Sequence, residues 1–365
     1  MSLEAPVLEV KNLEVIRGGV PVLSIPSLSI AESEVLFLIG PNGAGKSTLL
    51  QTLAALVKPS QGEIRFRGKK VGEDISLLSY RRRLAMILQE PLLFNTTVYK
   101  NVASGLKIRG MNKKEIEPIV IQTLDRFGIS HLKDRSARTL SGGEARRTSI
   151  ARAFATGPEI LFLDEPFSAL DPIIREAMME DLEKVLRETG ITTVFITHDR
   201  IEALRLATRL GVMADGRIIQ IGDVGEIMNH PENEIVASLV GVDTILQGKI
   251  IENRDRSVII SVSGKEIEAV GDIPPGTHVT LCIRPENVFI TKAAPTGETS
   301  VRNTIKGRID KIIPLGLYHK LSLDCGFPMV SYVTHHSLSS LLLKPGEEVF
   351  ASFKATAIHV IQRKN

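Results

Sequence analysis

The stretch Gly40-Pro41-Asn42-Gly43-Ala44-Gly45-Lys46-Ser47-Thr48 decides how the first part of this chain folds. It fits the pattern G-x-x-x-x-G-K-S/T, in which backbone N–H groups of a glycine-rich loop surround the phosphates of a nucleotide. The apolar run Val35–Ile39 precedes the loop, and residues 48–57 have a helical pattern. A strand, a glycine-rich loop and a helix in this order predict an α/β core of the P-loop NTPase type.

The residue types inside the loop predict its chemistry. Lys46 should reach the β- and γ-phosphates of the nucleotide, and the hydroxyl of Ser47 should be a ligand of Mg²⁺. An ordinary glycine-rich turn is the alternative interpretation. The position of the loop between a strand and a helix favours a phosphate site.

Two carboxylates follow a second apolar run, residues 160–163. Because parallel strands end at the same edge of a sheet, Asp164 is expected beside the phosphate loop, where it would bind the metal ion. Glu165 would then polarise the water that attacks the γ-phosphate. Apolar strands often end in acidic residues, so it is the loop at 40–48 that makes this pattern specific.

The segment Leu140-Ser141-Gly142-Gly143-Glu144 predicts a second anion site. Ser141 and Glu144 have the spacing of a capping box, which predicts a helix that continues through Arg152. A helix N-terminus is a ready site for an anion. A helix cap without a ligand is the alternative, and the position of the segment shortly before the strand that carries Asp164 favours the anion site.

With these motifs in this order, residues 1–240 resemble the nucleotide-binding domain of ABC transporters. Gln89, after the apolar run 84–88, matches the glutamine loop of the family, and His198 matches its switch histidine. Residues 92–156 correspond to the helical subdomain. Glu144 stands where the family more often has glutamine.

The resemblance implies a homodimer that binds two ATP molecules between its protomers. Ser141, Gly142, Gly143 and Glu144 of one protomer would contact the ATP that loop 40–48 of the other protomer binds. Ser168 and Asp171, in the segment Ser168-Ala169-Leu170-Asp171, would contact the dimer partner. The implied catalytic residues are Lys46, Gln89, Glu165 and His198, and the implied Mg²⁺ ligands are Ser47, Gln89 and Asp164.

The resemblance also implies partners and a location. The chain would lie on the cytoplasmic face of the cell membrane, bound to transmembrane permease subunits and served indirectly by a solute-binding protein. Arg17 occupies the position where the family usually stacks an aromatic residue on adenine. A guanidinium plane can stack on a base, so recognition of adenine by Arg17 is a hypothesis.

After residue 240 the pattern changes to short strands separated by turns, which predicts an all-β domain over 241–365. A weak internal repeat runs through this region. Pro275-Gly276 and Pro345-Gly346 are followed by apolar residues at the same offsets, and Gly248 and Gly307 open the two halves. These features predict two OB-like barrels in tandem.

Residues 299–362 resemble the molybdate-binding barrel known as molbindin. A tetrahedral dianion is bound by hydroxyls, N–H groups and cations. The candidate oxyanion residues of this region are Ser300, Arg302, Asn303, Lys354 and Thr356. The resemblance implies that molybdate or tungstate binds here and restrains transport, and the alternative is a barrel that only holds the dimer together.

Composition limits the other interpretations. The 365 residues carry a net charge of +3 with 4% aromatic residues, which gives few stacking platforms and argues against nucleic-acid binding. Three functions remain: a molybdate or tungstate importer ATPase, an importer ATPase for another solute such as sulfate, ferric iron, polyamine or sugar, and a soluble ABC ATPase without a membrane partner.

Overall fold

The phosphate loop lies at the edge of a six-stranded sheet in the first of two units. The computed structural model describes residues 6–294 and 299–363. The chain folds into two compact units, Met1–Val224 and Gly225–Asn365. The first unit ends before residue 240, where the sequence places the domain boundary. Among the described residues, no helix is both long and apolar enough to span a membrane.

The first unit contains both strands and helices. The strands are β1 Leu8–Arg17, β2 Val20–Ile30, β3 Val35–Ile39, β4 Gln61–Phe66, β5 Lys69–Lys70, β6 Leu84–Ile87, β7 Ile160–Asp164, β8 Thr192–Ile196, β9 Arg209–Ala214 and β10 Arg217–Asp223. The helices are α1 Lys46–Leu53, α2 Leu77–Arg81, α3 Val98–Ile108, α4 Lys113–Arg126, α5 Gly142–Phe154, α6 Pro172–Thr189 and α7 Arg200–Leu206.

The main sheet has the strand order β10-β9-β3-β8-β7-β6. The pairs from β9 to β6 are parallel, and β10 is antiparallel to β9. All five residues of β3 and of β8 are buried, as expected for strands covered on both faces. Strands β3, β7 and β8 therefore end at one edge, where their loops can form a single site. A smaller sheet, β2-β1-β4-β5, packs on the same core.

Helices α3, α4 and α5 lie between β6 and β7, which confirms the predicted helical insertion into the α/β core. Helix α3 packs against α4 and α5. Helix α1 is shorter than the predicted 48–57 pattern and ends at Leu53. The cause is Ala55, whose φ of 55° is left-handed and cannot continue a right-handed helix.

The second unit is built mainly of antiparallel strands. They are β11 Thr244–Arg254, β12 Ser257–Val262, β13 Lys265–Val270, β14 His278–Ile283, β15 Phe289–Thr291, β16 Asn303–Pro314, β17 Tyr318–Asp324, β18 Pro328–Thr334, β19 Glu348–Phe353 and β20 Ile358–Gln362. Its helices are α8 Val224–Asn229, which begins at the boundary, α9 Glu234–Leu239 and α10 His335–Ser340.

Two five-stranded sheets confirm the repeat in the second unit, but they exchange a strand. The orders are β13-β12-β11-β14-β20 and β15-β19-β16-β17-β18. Each half has a strand, a 3-10 turn and a last strand, with turns at Pro285–Asn287 and Ala355–Ala357. The last strand of each half joins the sheet of the other half, because β15 pairs with β19 and β20 pairs with β14. One apolar cluster, including Ile260 and Leu321, spans both sheets.

The glycines that open the two halves let neighbouring strands approach closely. A Cβ on Gly248 would lie 2.6 Å from Cγ2 of Ile260, and one on Gly307 would lie 2.5 Å from Sγ of Cys325. Each glycine is followed by a bulge in its strand, after Ile250 and Ile309 respectively. The repeat is therefore visible in the packing as well as in the sequence.

We expect Gly307→Ala to destabilise the protein by about 1–3 kcal/mol, because the added methyl group overpacks the strand pair. Chemical unfolding of the full chain measures this change. Gly271→Ala is the control, since its Cβ would meet Ile273 at an ordinary 3.8 Å. Equal effects of the two substitutions would contradict the steric explanation.

Candidate active site

The ammonium group of Lys46 is buried at the phosphate loop. Its Nζ donates to the carbonyl oxygens of Gly40 at 2.8 Å and Pro41 at 3.0 Å. Burial lowers the pKa of Lys46, and the nearby carboxylates of Glu165 and Asp164 act in the opposite direction. The loop therefore holds a partly desolvated cation on its own carbonyl groups, which phosphate oxygens could replace.

Glycine is required at the start of α1. Gly45 has a φ of 91°, which favours a residue without a Cβ. A Cβ at this position would also lie 2.7 Å from Cδ2 of Leu23. The loop can therefore turn tightly into the helix, whose free N–H groups point toward the phosphate position.

A cavity of 590 Å³ lies in front of the loop. It brings together most of the predicted nucleotide residues with parts of two hairpins. Its lining residues are Pro21, Val22, Asn42, Gly43, Ala44, Gly45, Lys46, Ser47, Thr48, Gln89, Glu165, Asp215 and Gly216.

Ser47, which lines this cavity, contacts Asp164 at the end of β7. The hydroxyl of Ser47 donates to Oδ1 of Asp164 at 3.1 Å. Burial raises the pKa of Asp164, with a smaller contribution from the charge of Glu165, and the Ser47 hydrogen bond acts against both. A hydroxyl and a carboxylate at this distance, with Gln89 on the same cavity, are the oxygen ligands that Mg²⁺ prefers, so the residues fit this ion.

Glu165 and His198 contact each other across the ends of β7 and β8. Nδ1 of His198 lies 3.3 Å from Oε2 of Glu165, and the histidine side chain is 65% exposed. The backbone of Glu165 is left-handed, with a φ of 45°, and its N–H donates to Ile196 at 2.9 Å. Strained backbone at such a position is typical of functional sites. The two predicted catalytic groups therefore lie together at the sheet edge.

The predicted capping box forms at the N-terminus of α5. The Ser141 side chain accepts from the N–H of Glu144 at 3.3 Å, and the Glu144 carboxylate accepts from the N–H of Ser141 at 2.7 Å. The latter hydrogen bond lowers the pKa of Glu144, and Arg135 lies 3.1 Å from the same carboxylate. Glu144 therefore completes the cap, while Ser141 and Gly142 remain exposed.

The loop after β7 is fixed by its own side chains. Oγ of Ser168 donates to the carbonyl of Glu165 at 2.9 Å. Oδ1 of Asp171 accepts from the N–H of Ile174 at 3.0 Å and caps α6. Contact of Ser168 and Asp171 with a second protomer stays a prediction.

Comparison with known proteins agrees with this geometry. The family model of the ABC transporter matches residues 23–168, and the TOBE domain model matches residues 299–360. The molybdate/tungstate import ATP-binding protein WtpC of Pyrococcus horikoshii is 38% identical over 92% of this chain and 94% of its own length. This chain belongs to the ABC transporter family of ATP-binding proteins. It binds and hydrolyses ATP.

Two other proteins resemble this ABC ATPase. The spermidine/putrescine import ATP-binding protein PotA of Ruegeria pomeroyi is 33% identical over 92% of this chain and 90% of that protein. The structure of cbiO1 from Clostridium perfringens, part of the ABC transporter complex cbiONQ, matches with a TM-score of 0.57 and 34% identity. It covers 61% of this chain and 91% of that chain.

Arg17 of the ABC ATPase lies at the end of β1, exposed and next to the turn into β2. Among the described residues that line the cavity, this hairpin contributes Pro21 and Val22 and not Arg17. Recognition of adenine by Arg17 stays a hypothesis.

Two cavity residues, Asp215 and Gly216, were not predicted from the sequence. Gly216 has a φ of 72°, and a Cβ there would lie 2.5 Å from the carbonyl of Val22. The Asp-Gly dipeptide between β9 and β10 does predict a hairpin turn. Its position beside the phosphate loop depends on the sheet order, which local sequence does not reveal.

The five candidate oxyanion residues differ in burial and in hydrogen bonding. The Asn303 side chain is 4% exposed, and its amide accepts from the N–H of Glu268 and donates to the Glu268 carbonyl, each at 2.8 Å. Asn303 therefore joins β13 to β16, and the binding of an oxyanion by the five residues stays a prediction. Ser300, Arg302 and Lys354 are exposed.

Thr356 lines a cavity of 300 Å³ in the second unit, together with Arg284, His230 and His359. The Arg284 guanidinium donates to the carbonyls of Val240, at 3.3 Å, and Met228. Burial lowers the pKa of His359, the hydrogen bond to the carbonyl of Pro231 opposes this, and the charge of His230 adds to the lowering. Among the described lining residues of this cavity, none is acidic.

A buried glutamate supports the loop that carries His198. Glu202 is 4% exposed and accepts a hydrogen bond of 2.6 Å from the hydroxyl of Thr197. Burial raises the pKa of Glu202 to about 7, and the charge of Asp199 adds to this. The Thr197 hydrogen bond and the charges of Arg175 and His198 lower the pKa. Sequence reasoning missed this residue because its burial depends on the packing of α7.

This pKa predicts a dependence of stability on pH. The folded state binds a proton at Glu202 more tightly than the unfolded state, whose pKa is near 4.5, so this contribution to stability falls as the pH rises from about 4.5 to 7. Glu202→Gln has no carboxyl group to ionise at this position. Its free energy of unfolding, relative to that of the wild type, should therefore rise by up to about 3 kcal/mol between pH 5 and pH 8.

Thermal unfolding at the two pH values measures the difference. Glu180→Gln, on the exposed face of α6, is the control and should show no such gain. A Tm difference between Glu202→Gln and the wild type that is the same at pH 5 and pH 8 would disprove the assignment.

Proposed function

We propose that this ABC ATPase acts as a homodimer in which each ATP is bound by the Lys46 loop of one protomer and the Ser141 helix end of the other. One observation carries the proposal. The N-terminus of α5 has an exposed Ser141 and Gly142, yet among the described residues that line the Lys46 cavity of the same chain, residues 141–144 do not occur. A second copy of the chain can bring this anion site to the phosphates.

The side chains at the sheet edge divide the reaction between them. Lys46 would transfer its hydrogen bonds from Gly40 and Pro41 to phosphate oxygens, which gain negative charge in the transition state. Glu165 would accept the proton of the attacking water, and His198, in contact with Glu165, would hold the γ-phosphate. Ser47, Gln89 and Asp164 would hold Mg²⁺, whose positive charge offsets that of the phosphates.

The dimer has a direct test. Glu165→Gln should bind ATP but lose its general base, so that phosphate release falls by about 10²- to 10⁴-fold and the dimer accumulates. Size-exclusion chromatography with light scattering, in ATP and in ADP, measures the mass.

The double variant Glu165→Gln with Ser141→Ala is the control and should remain monomeric in ATP. When chains that lack Lys46 are mixed with chains that lack Ser141, one composite ATP site can still form. It combines Lys46 of one chain with Ser141 of the other. A Glu165→Gln protein that stays monomeric in ATP would contradict the proposal.

A surface groove of 510 Å³ suits a permease segment. It lies between α2, the residues after β6 and α3, and its apolar lining includes Leu78, Leu92, Phe94 and Ile108, all exposed. Four arginines also line it: Arg81, Arg82, Arg109 and Arg152. We propose that a permease subunit binds here on the cytoplasmic face of the membrane, through a short helix with apolar and acidic side chains.

Molybdate or tungstate is the solute that we propose for the importer. The two WtpC proteins, from Pyrococcus horikoshii and Pyrococcus abyssi, are 38% and 36% identical over 92% of the chain. The PotA proteins favour polyamine uptake as the second candidate. A cavity with Arg284, His230 and His359 suits an oxyanion better than a polycation, which supports the first solute and a sensor role of the second unit.

Calorimetry on the full chain distinguishes the two solutes. We expect tungstate to bind with a Kd of roughly 1 µM to 100 µM, and spermidine and sulfate to give no signal. Thr356→Val, which removes a hydroxyl from the cavity, should weaken binding at least about fivefold, since one hydrogen bond to an anion is lost. Thr304→Val, at an exposed threonine of β16 outside the cavity, is the matched control. Binding of spermidine without tungstate would favour the polyamine function.

A further inference from the structure

Two arginines of α5 hold the loop that contains Gln89. Arg146 donates from Nη1 to the carbonyl of Leu88 at 2.6 Å and from Nη2 to the carbonyl of Gln89. Arg152 donates to the carbonyls of Pro91 and Leu92 at 3.1 and 3.0 Å. Four carbonyl groups of residues 88–92 are thus bound by one helix, and we call this segment the Gln89 loop.

Burial makes the Arg146 contact strong. Arg146 is 4% exposed, and burial lowers the pKa of its guanidinium. Its Nε has no hydrogen-bond partner, and among the described residues no carboxylate forms an ion pair with it. Leu88 and Gln89 therefore supply the hydrogen bonds of a buried charge. If the loop moved away alone, that charge would be left unpaired, which is costly.

Arg152 connects the same helix to the surface groove. Its guanidinium carbon lies 5.8 Å from the ring centroid of Phe94, and Phe94 is 54% exposed in the groove. A segment that packs on Phe94 would therefore also affect Arg152, whose side chain extends from α5 to the Phe94 ring. Arg146 and Arg152 are six residues apart in α5. Arg146 binds the first carbonyls of the Gln89 loop and Arg152 binds the last ones, so the helix holds both ends of the loop.

Helix α5 also carries the second anion site. Ser141 caps the helix, and Arg146 follows Gly142 by about 6 Å of helix rise. Gln89 lines the Lys46 cavity of its own chain. The Arg146 contact thus spans the short distance between a residue of one nucleotide site and the helix end proposed to serve the other.

We propose that Arg146 and Arg152 fasten the Gln89 loop to α5, so that the loop and the Ser141 end of the helix move as one body. The inference rests on the proposed dimer, in which Gln89 and Ser141 face different ATP molecules. Arg146 is then a positioning residue that links the two sites with each other and with the groove. A purely structural arginine would stabilise the fold without linking the two segments.

Hydrogen–deuterium exchange on the full chain carrying Glu165→Gln tests this link. The measured segments are 84–95 and 140–147, with and without ATP. Without ATP, Arg146→Met should speed exchange in 84–95 about tenfold or more, because two charge-assisted hydrogen bonds are lost. With ATP, protection should appear in both segments of the parent protein, but only in 140–147 of Arg146→Met.

Arg147→Met is the matched control on the same helix. It loses contacts with Asp181 and the Phe127 carbonyl but keeps those of the Gln89 loop, so both segments should still respond to ATP together. Arg146→Lys keeps the charge and should fold if the methionine variant does not. Its ammonium cannot form the same fork to two carbonyls, so it should show the same loss.

The possible results separate the two proposals. If ATP protects both segments equally in Arg146→Met and Arg147→Met, the fastening role is wrong although the dimer stands. If ATP protects neither segment in the parent protein, the ATP-bound dimer is wrong, and the link between its sites falls with it.

Discussion

The buried ammonium of Lys46 is the interaction on which the site depends. Phosphate groups are strongly hydrated anions, so a protein must offer them converging N–H groups and a cation that is already partly desolvated. The loop provides this by holding Lys46 on the carbonyls of Gly40 and Pro41. Parallel strands then place Asp164, Glu165 and His198 at the same edge. Because strand β3 is fully buried, the loop has a rigid support.

Much of this site could be predicted from the sequence because its determinants are local. The strand, loop and helix around Lys46 and the capping box of Ser141 and Glu144 depend on residues close together in the chain. Arg146 and Glu202 could not be found in this way. Their roles depend on burial and on partners that the sheet order brings near, such as the carbonyl of Leu88, 58 residues away in sequence.

The second unit shows the same limit. Equal offsets of turns and apolar residues indicated two related halves, and the two five-stranded sheets confirm them. A periodic pattern cannot show which sheet a strand joins, since apolar residues such as Ile290 of β15 and Ile358 of β20 indicate only that each strand packs on a core. Asn303 also appeared suited to an anion, but its amide is used to connect β13 to β16. A buried polar side chain near a predicted site can form hydrogen bonds with backbone groups that solvent does not reach.

The exchange of last strands has a consequence for folding. The sheet of the first half has β20, Ile358–Gln362, as its edge strand, and β20 follows the other strands of the second half in the chain. Until the second half is synthesised, β14 has no neighbour on that side, and its open edge can pair with other chains. The two halves therefore complete their sheets together, as one cooperative body, and removing β20 would damage both halves.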